Sequence, residues 1–182
     1  TLPDETRALA ASGAVAGLCP VTEADLGDGI FDGARFLEAG GRFGVGTDSH
    51  LRISVAGELR QLEQSQRLRD RVRAVMAPAG SSVGRTLLET AAAGGAQATA
   101  RGSGRIEPGG MADLVALDAG APELAGRARD GAVDAWIFAG GRGTVASVWS
   151  AGRQVVASGR HPRRAAILSR YRQTVERLMA RI

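Results

Sequence analysis

The residues that decide the fold read Arg42-Phe-Gly-Val-Gly-Thr-Asp-Ser-His50. A short apolar run ends in small residues, and the carboxylate of Asp48 then stands beside two hydroxyls and an imidazole. This pattern is typical of a buried parallel strand, predicted here over 43–47, that carries a polar group at its C-terminal end. In α/β barrels the catalytic side chains lie at that end of the strands. The pattern therefore makes Asp48 the leading candidate for a chemical role.

Composition limits the class of protein. The chain has 182 residues, enough for one ordinary domain or two small ones. All 23 basic residues are arginine and the net charge is only +4, so nucleic-acid binding gains little support. The single cysteine, Cys19, excludes an internal disulfide and agrees with a cytoplasmic location. No apolar run is long enough to span a bilayer, so we expect no membrane partner.

The order of the predicted elements indicates a parallel α/β sheet in the first hundred residues, because helices alternate with strands there. The predicted elements are a helix over 1–11, a strand over 14–19, a loop over 21–33, a short helix over 36–39 and the strand over 43–47. A long helix then begins at Val55 and keeps its apolar spacing as far as Met76, and another is predicted over 85–101.

The pattern changes near residue 102, where the sequence becomes rich in turns. Short strands at regular intervals indicate a small antiparallel β unit, and they are predicted over 112–118, 133–138, 144–149 and 154–157. The last predicted helix covers 163–182, and we expect it to pack on the body of the protein. Its apolar stripe consists of Ile167, Tyr171, Val175, Leu178 and Ile182.

Several segments resemble formimidoylglutamate deiminases of the amidohydrolase superfamily. The segment Gly17-Leu-Cys-Pro-Val-Thr-Glu-Ala-Asp-Leu-Gly-Asp-Gly-Ile-Phe31 resembles the loop after their seventh barrel strand, and 44–50 resembles the eighth strand. The helix over 58–68, the barrel exit over 105–118 and the closing hairpin of the β-sandwich over 148–156 are also similar. Asp25 departs from the family, which leads us to expect Asn, and it adds negative charge near the mouth of the site.

The resemblance implies an α/β fold, namely the C-terminal part of a TIM-type (β/α)8 amidohydrolase barrel plus returning strands of a small β-sandwich. Residues 1–102 would form the last two barrel strands and their helices, 103–160 the sandwich strands and 161–182 a C-terminal helix. A complete barrel takes about 250 residues. The family's His-x-His, its other histidines and its substrate-binding arginines are expected before residue 1. The N-terminal remainder of the enzyme is therefore an expected partner, and we expect this chain alone to be inactive.

The resemblance also implies a reaction, the hydrolysis of N-formimino-L-glutamate to N-formyl-L-glutamate and ammonia in histidine degradation. A zinc ion would activate the water, since zinc lowers the pKa of its bound water to about 7. Asp48 matches the family's metal-ligating and catalytic carboxylate. From the residues alone, an Asp that caps the next helix is an equal alternative. The resemblance further implies a small-molecule substrate and a cytoplasmic homodimer of the full protein.

Other polar residues near the predicted strand ends are weaker candidates. Thr22 and Glu23 follow the first strand and could bind the substrate, and Ser49 could bind it, orient Asp48 or cap the next helix. We interpret His50 as a surface or pocket-rim residue. Cys19 is interpreted as a small buried hydrophobe, because no base lies next to it in the sequence.

Two other functions remain open from the sequence. The first is another amidohydrolase deaminase, for example one that acts on guanine-like rings, and a pocket without arginines for two carboxylates would favour it. The second is a non-catalytic fragment that binds a partner through its exposed barrel edge. A metal analysis and a deaminase assay would separate these functions.

Overall fold

Two small sheets and seven α-helices make up the part of the chain that the structure, a computed structural model, describes: residues 2–49, 52–102 and 104–181. The helices are α1 (Pro3–Ala11), α2 (Pro20–Leu26), α3 (Gly33–Glu38), α4 (Val55–Asp70), α5 (Val83–Ala98), α6 (Asp130–Phe138) and α7 (Arg164–Met179). The strands are β1 (Val15–Leu18), β2 (Arg42–Val45), β3 (Leu114–Leu117), β4 (Val145–Ser150) and β5 (Arg153–Val156). No described helix is long and apolar enough to cross a membrane.

The first sheet is the parallel pair β1–β2, as the sequence predicts. Its register pairs Val15 with Arg42 and Leu18 with Val45, so both strands end at the same level. Helix α5 packs closely on β2 because its Gly94 has no side chain; a Cβ there would lie 2.0 Å from the carbonyl oxygen of Phe43. The core around this pair is apolar, and its fully buried members include Phe36, Phe43, Leu59, Leu87 and Ile137.

The prediction of a loop over 21–33 is wrong, since this segment contains most of α2 and the start of α3. Pro20 occupies the first turn of α2, where a missing N–H costs nothing, and Gly27 ends the helix with φ 75°. The Glu23 carboxylate accepts a hydrogen bond of 2.6 Å from the backbone N–H of Cys19 at the start of the helix. Capping, rather than apolar periodicity, specifies this helix.

The strand predicted over 133–138 is also wrong, because these residues belong to α6. The run is rich in β-formers, but it packs on α4 and α5 with Ile137 fully buried. Arg60 donates hydrogen bonds of 2.6 Å and 2.8 Å to the carbonyls of Ile137 and Gly140 at the C-terminal end of α6. Tertiary contacts thus override local strand propensity here.

Helix α4 ends at Asp70, before the predicted limit at Met76, because Arg71 adopts φ 56° and the chain turns back. The buried carboxylate of Glu63 then accepts hydrogen bonds from the backbone N–H groups of Val75 (2.9 Å) and Met76 (3.0 Å). Met76 is buried by this return of the chain, which explains why its position fits the apolar pattern of the helix.

The second sheet is antiparallel with the strand order β3–β4–β5, which agrees with the β unit predicted after residue 102. Helix α7 agrees with its predicted position, but the expected packing on the body is wrong for the described residues, since none of its residues is buried. Tyr171 and Leu178 are 56% and 53% exposed. The apolar spacing therefore predicted helix α7 correctly, but it does not indicate which part of a protein packs against the apolar side chains.

The isolated 182-residue polypeptide should self-associate in solution. Each described strand of the parallel pair has one edge without a neighbour, and exposed edges of this kind pair with other chains. Apolar side chains such as Leu26, Ile53 and Leu68 are also 70–81% exposed. Light scattering after size exclusion at ~10 µM, a concentration at which such species associate, should show oligomers. A stable, monodisperse monomer would contradict this expectation.

Candidate functional site

The C-terminal ends of β1 and β2 form the candidate site. The parallel register sets Leu18 opposite Val45, and the Gly46 N–H donates a 2.9 Å hydrogen bond to the Leu18 carbonyl just beyond the last pair. Cys19 and α2 therefore follow one strand end, while Thr47, Asp48 and Ser49 follow the other. Residues that are about 25 positions apart in the sequence meet at one edge of the sheet.

Asp48 is exposed at the tip of β2 and adopts the left-handed conformation with φ 47°. The helix-cap alternative for Asp48 is wrong, because Ser54 caps α4 by accepting a 3.1 Å hydrogen bond from the Gly57 N–H. Because Ser54 is the N-cap of α4, the suggestion that Ser49 caps this helix is also wrong. Ser49 is exposed in the turn after β2. An exposed carboxylate at a strand end without a capping role remains suited to bind a ligand.

Thr22 and Glu23, the predicted substrate contacts, both bind backbone groups of the site. The Thr22 hydroxyl is buried and donates a 2.9 Å hydrogen bond to the carbonyl of Thr47, directly before Asp48. Glu23 binds the Cys19 N–H, as described above. The structure thus brings both residues to the predicted place and gives each a structural contact there.

Glu58 is a site residue that the sequence reasoning missed. It lies in the first turn of α4, is 1% exposed, and accepts a 2.9 Å hydrogen bond from the backbone N–H of Val21. One signal could have revealed it: Glu58 shares a helix face with the apolar Leu62, four residues further on, and carboxylates on an apolar face are rarely buried without a partner.

Cys19 is half-buried among carboxylates. Burial, followed by the negative charges of Asp48, Glu23 and Glu58, raises the pKa of the Cys19 thiol above its usual range. The thiol is therefore protonated at neutral pH, and a neutral thiol is a poor nucleophile. This environment fits the interpretation of Cys19 as a small hydrophobe rather than a catalytic group.

The described residues contain no group of three or more His, Cys, Asp or Glu side chains that could hold a metal ion. His50 lies outside the described residues, and His161 is exposed and accepts a hydrogen bond from the Arg163 N–H. A shallow apolar groove of about 330 Å³ lies between α2 and α4, and Asp48 does not line it. Of the candidate residues at the strand ends, Glu23 lines this groove, whereas Thr22, Asp48 and Ser49 do not.

The family model of the amidohydrolase family matches residues 2–155, and the chain belongs to this family. Among curated proteins, it is 51% identical over 160 residues to the formimidoylglutamate deiminase of Pseudomonas aeruginosa, covering 87% of this chain and 35% of that protein. The match agrees with the resemblance inferred from residues 17–31 and 44–50. The chain spans about a third of the length of this relative.

Solved structures show the same fold. An amidohydrolase from Brucella melitensis matches with a TM-score of 0.90 and 42% identity over 98% of this chain and 39% of its own. An adenosine deaminase from Xanthomonas campestris, solved with bound zinc, matches with a TM-score of 0.85 and 24% identity over 99% of this chain and 41% of its own. These matches confirm the predicted fold, part of a TIM-barrel amidohydrolase.

The charge of Asp48 should slow alkylation of Cys19. Asp48→Asn removes the largest of the three carboxylate effects on this thiol, lowers its pKa and increases its thiolate fraction, so iodoacetamide should react faster at pH 8. The measurement is site-resolved mass spectrometry on a metal-free chimaera in which this chain replaces the matching third of the Pseudomonas relative. Asp70→Asn, at the exposed end of α4, is the control. Equal rates for both variants would place Asp48 away from Cys19.

Proposed function

We propose that this chain is the C-terminal part of a formimidoylglutamate deiminase, which hydrolyses N-formimino-L-glutamate to N-formyl-L-glutamate and ammonia. The observation that carries the proposal is the 51% identity to the Pseudomonas deiminase over 87% of this chain. The match extends over 160 residues, so it does not depend on the few residues at the strand ends alone. The family as a whole hosts other deaminases, so it is this identity that favours the deiminase.

A zinc ion is the proposed cofactor, and Asp48 is the residue of this chain that would hold it. The carboxylate fits this role because it is exposed at the C-terminal end of β2 and does not cap a helix. Carboxylate oxygen is a normal zinc ligand. When bound, zinc supplies a water molecule whose pKa is lowered to about 7. The zinc in the Xanthomonas structure of the same fold supports this choice of metal.

Asp48 would also act as the general base. Its carboxylate can accept the proton of the attacking water at one oxygen and later deliver it to the departing nitrogen, which leaves as ammonia. Thr22, Glu23 and Ser49 stay predicted substrate contacts, although Thr22 and Glu23 already bind backbone groups.

The remaining ligands and the groups that bind the substrate carboxylates would come from the rest of the enzyme. This proposal agrees with the length of the match, because the chain spans only about a third of the Pseudomonas relative. The rest of the enzyme would also cover the open edges of the β1–β2 pair. A homodimer of the full protein, a cytoplasmic location and a place in histidine degradation follow from the family resemblance and are part of the proposal.

Asp48→Asn should lower the deiminase activity of the chimaera by about 10²–10⁴-fold, because a positioned general base contributes that much. Ammonia release from N-formimino-L-glutamate and zinc content are the measurements, and Asp70→Asn is again the control. Zinc occupancy should fall in the Asp48 variant only. Full activity of Asp48→Asn would refute the role of this residue.

The chimaera also separates the alternative functions. Turnover of guanine or adenosine in preference to N-formimino-L-glutamate would favour another deaminase. A folded chimaera without activity, next to an active Pseudomonas enzyme, would favour a non-catalytic chain. The 182 residues alone should neither bind stoichiometric zinc nor turn over the substrate. If the isolated chain did bind stoichiometric zinc or show turnover, the proposed missing ligands would not be needed.

A further inference from the structure

We propose that Thr22 is a positioning residue that holds Asp48 in place, and that Glu58 in turn holds Thr22. The inference rests on the proposed function, because it concerns the metal-ligating role of Asp48. It goes beyond that function by giving Thr22 a role other than substrate contact and by assigning a role to Glu58, for which the sequence predicted none.

The backbone before Asp48 is fixed at two successive residues. Gly46 donates its N–H to the Leu18 carbonyl at 2.9 Å, and the Thr47 carbonyl accepts the Thr22 hydroxyl at 2.9 Å. Asp48 itself has φ 47°, a left-handed conformation that is sparsely populated for residues other than glycine. Such a conformation persists when the surrounding structure determines it. The Thr22 hydroxyl is a side-chain contact that reaches this segment from the neighbouring strand end.

Thr22 is itself held in place from the other side of the site. Thr22 is 5% exposed and lies in the first turn of α2. The residue before it in the same turn, Val21, donates its N–H to the Glu58 carboxylate at 2.9 Å. Glu58 belongs to α4, the helix that follows Asp48 in the chain. The contacts therefore close a ring: the Thr47 carbonyl binds Thr22, α2 binds Glu58, and α4 leads back to Asp48.

This ring gives Thr22 a different role from the substrate contact that the sequence suggests. The hydroxyl proton of Thr22 is committed to the Thr47 carbonyl, so its loss releases the backbone next to Asp48. A positioning role predicts weaker metal binding and slower chemistry with little change in KM. A substrate contact predicts the opposite, a higher KM with unchanged metal affinity. The two roles can therefore be separated by measurement.

The test compares Thr22→Val, which keeps the side-chain shape but loses the hydroxyl, with Thr22→Ser, which keeps the hydroxyl. Both are made in the full-length chimaera with the Pseudomonas relative. Zinc affinity is measured by competition with a chelator, and kcat and KM with N-formimino-L-glutamate. Thr90→Val is the matched control, since the half-buried Thr90 loses a 2.7 Å hydrogen bond to the Thr86 carbonyl within α5.

We expect Thr22→Val to lower zinc affinity and kcat by about 10-fold or more, the usual effect of losing a group that orients a metal ligand. Thr22→Ser should recover most of this loss, and Thr90→Val should show none of it. Unchanged zinc affinity with a raised KM in Thr22→Val would overturn the proposal in favour of a substrate contact. Equal losses in Thr22→Val and Thr90→Val would overturn it in favour of a general effect on folding.

The proposed function can fail separately. A chimaera that binds zinc but leaves N-formimino-L-glutamate unchanged would refute the substrate, while the zinc-affinity comparison of Thr22→Val and Thr22→Ser would still decide the positioning role. A chimaera that binds no zinc would refute both.

Discussion

The parallel register of β1 and β2 is the constraint on which the candidate site depends. Two strands that run in the same direction and start at Val15 and Arg42 must also end together, at Leu18 and Val45. Every group discussed above follows one of these two ends or reaches them from α4. A shift of one residue would turn the side chains of β2 to the opposite face and move Asp48 away from the end of β1. The glycine contact between α5 and β2 holds β2 close against the helix layer.

Helix α4 shows how buried polar groups can organise irregular segments. Three side chains on its buried face bind backbone groups of three separate stretches of chain. Glu58 binds the start of α2, Glu63 binds the segment after α4, and Gln66 accepts from the Gly33 N–H and donates to the Phe31 carbonyl. Since buried polar groups need partners, these side chains restrict where those stretches can lie. The layer around the strand ends is therefore held by specific hydrogen bonds as well as by apolar packing.

The sequence predicted well those features that depend on local pattern. The strands of both sheets, the long helices and the position of Asp48 follow from periodicity and from the small residues at 44 and 46. The prediction failed where tertiary contacts decide. The residues of α6 have strand propensity but are held as a helix by burial of Ile137 and by the Arg60 cap. The capping contact of Glu23 and the burial of Glu58 depend on where other segments lie, which a residue pattern alone does not specify.

The two surfaces that the described chain leaves open can be understood together. The free edges of the parallel pair and the apolar stripe of α7 both belong to elements that are regular in themselves but uncovered. In the Brucella structure, the matching region is 39% of a longer chain, and the two backbones agree over nearly all of the present one, with a TM-score of 0.90. In that longer chain, additional residues are available to cover the corresponding faces, and we propose the same for the enzyme to which the present chain would belong. The same reasoning applies to Asp48, a single carboxylate held in an unusual conformation at the edge of the sheet. In the proposed enzyme, the remaining metal ligands would reach Asp48 from outside the present chain.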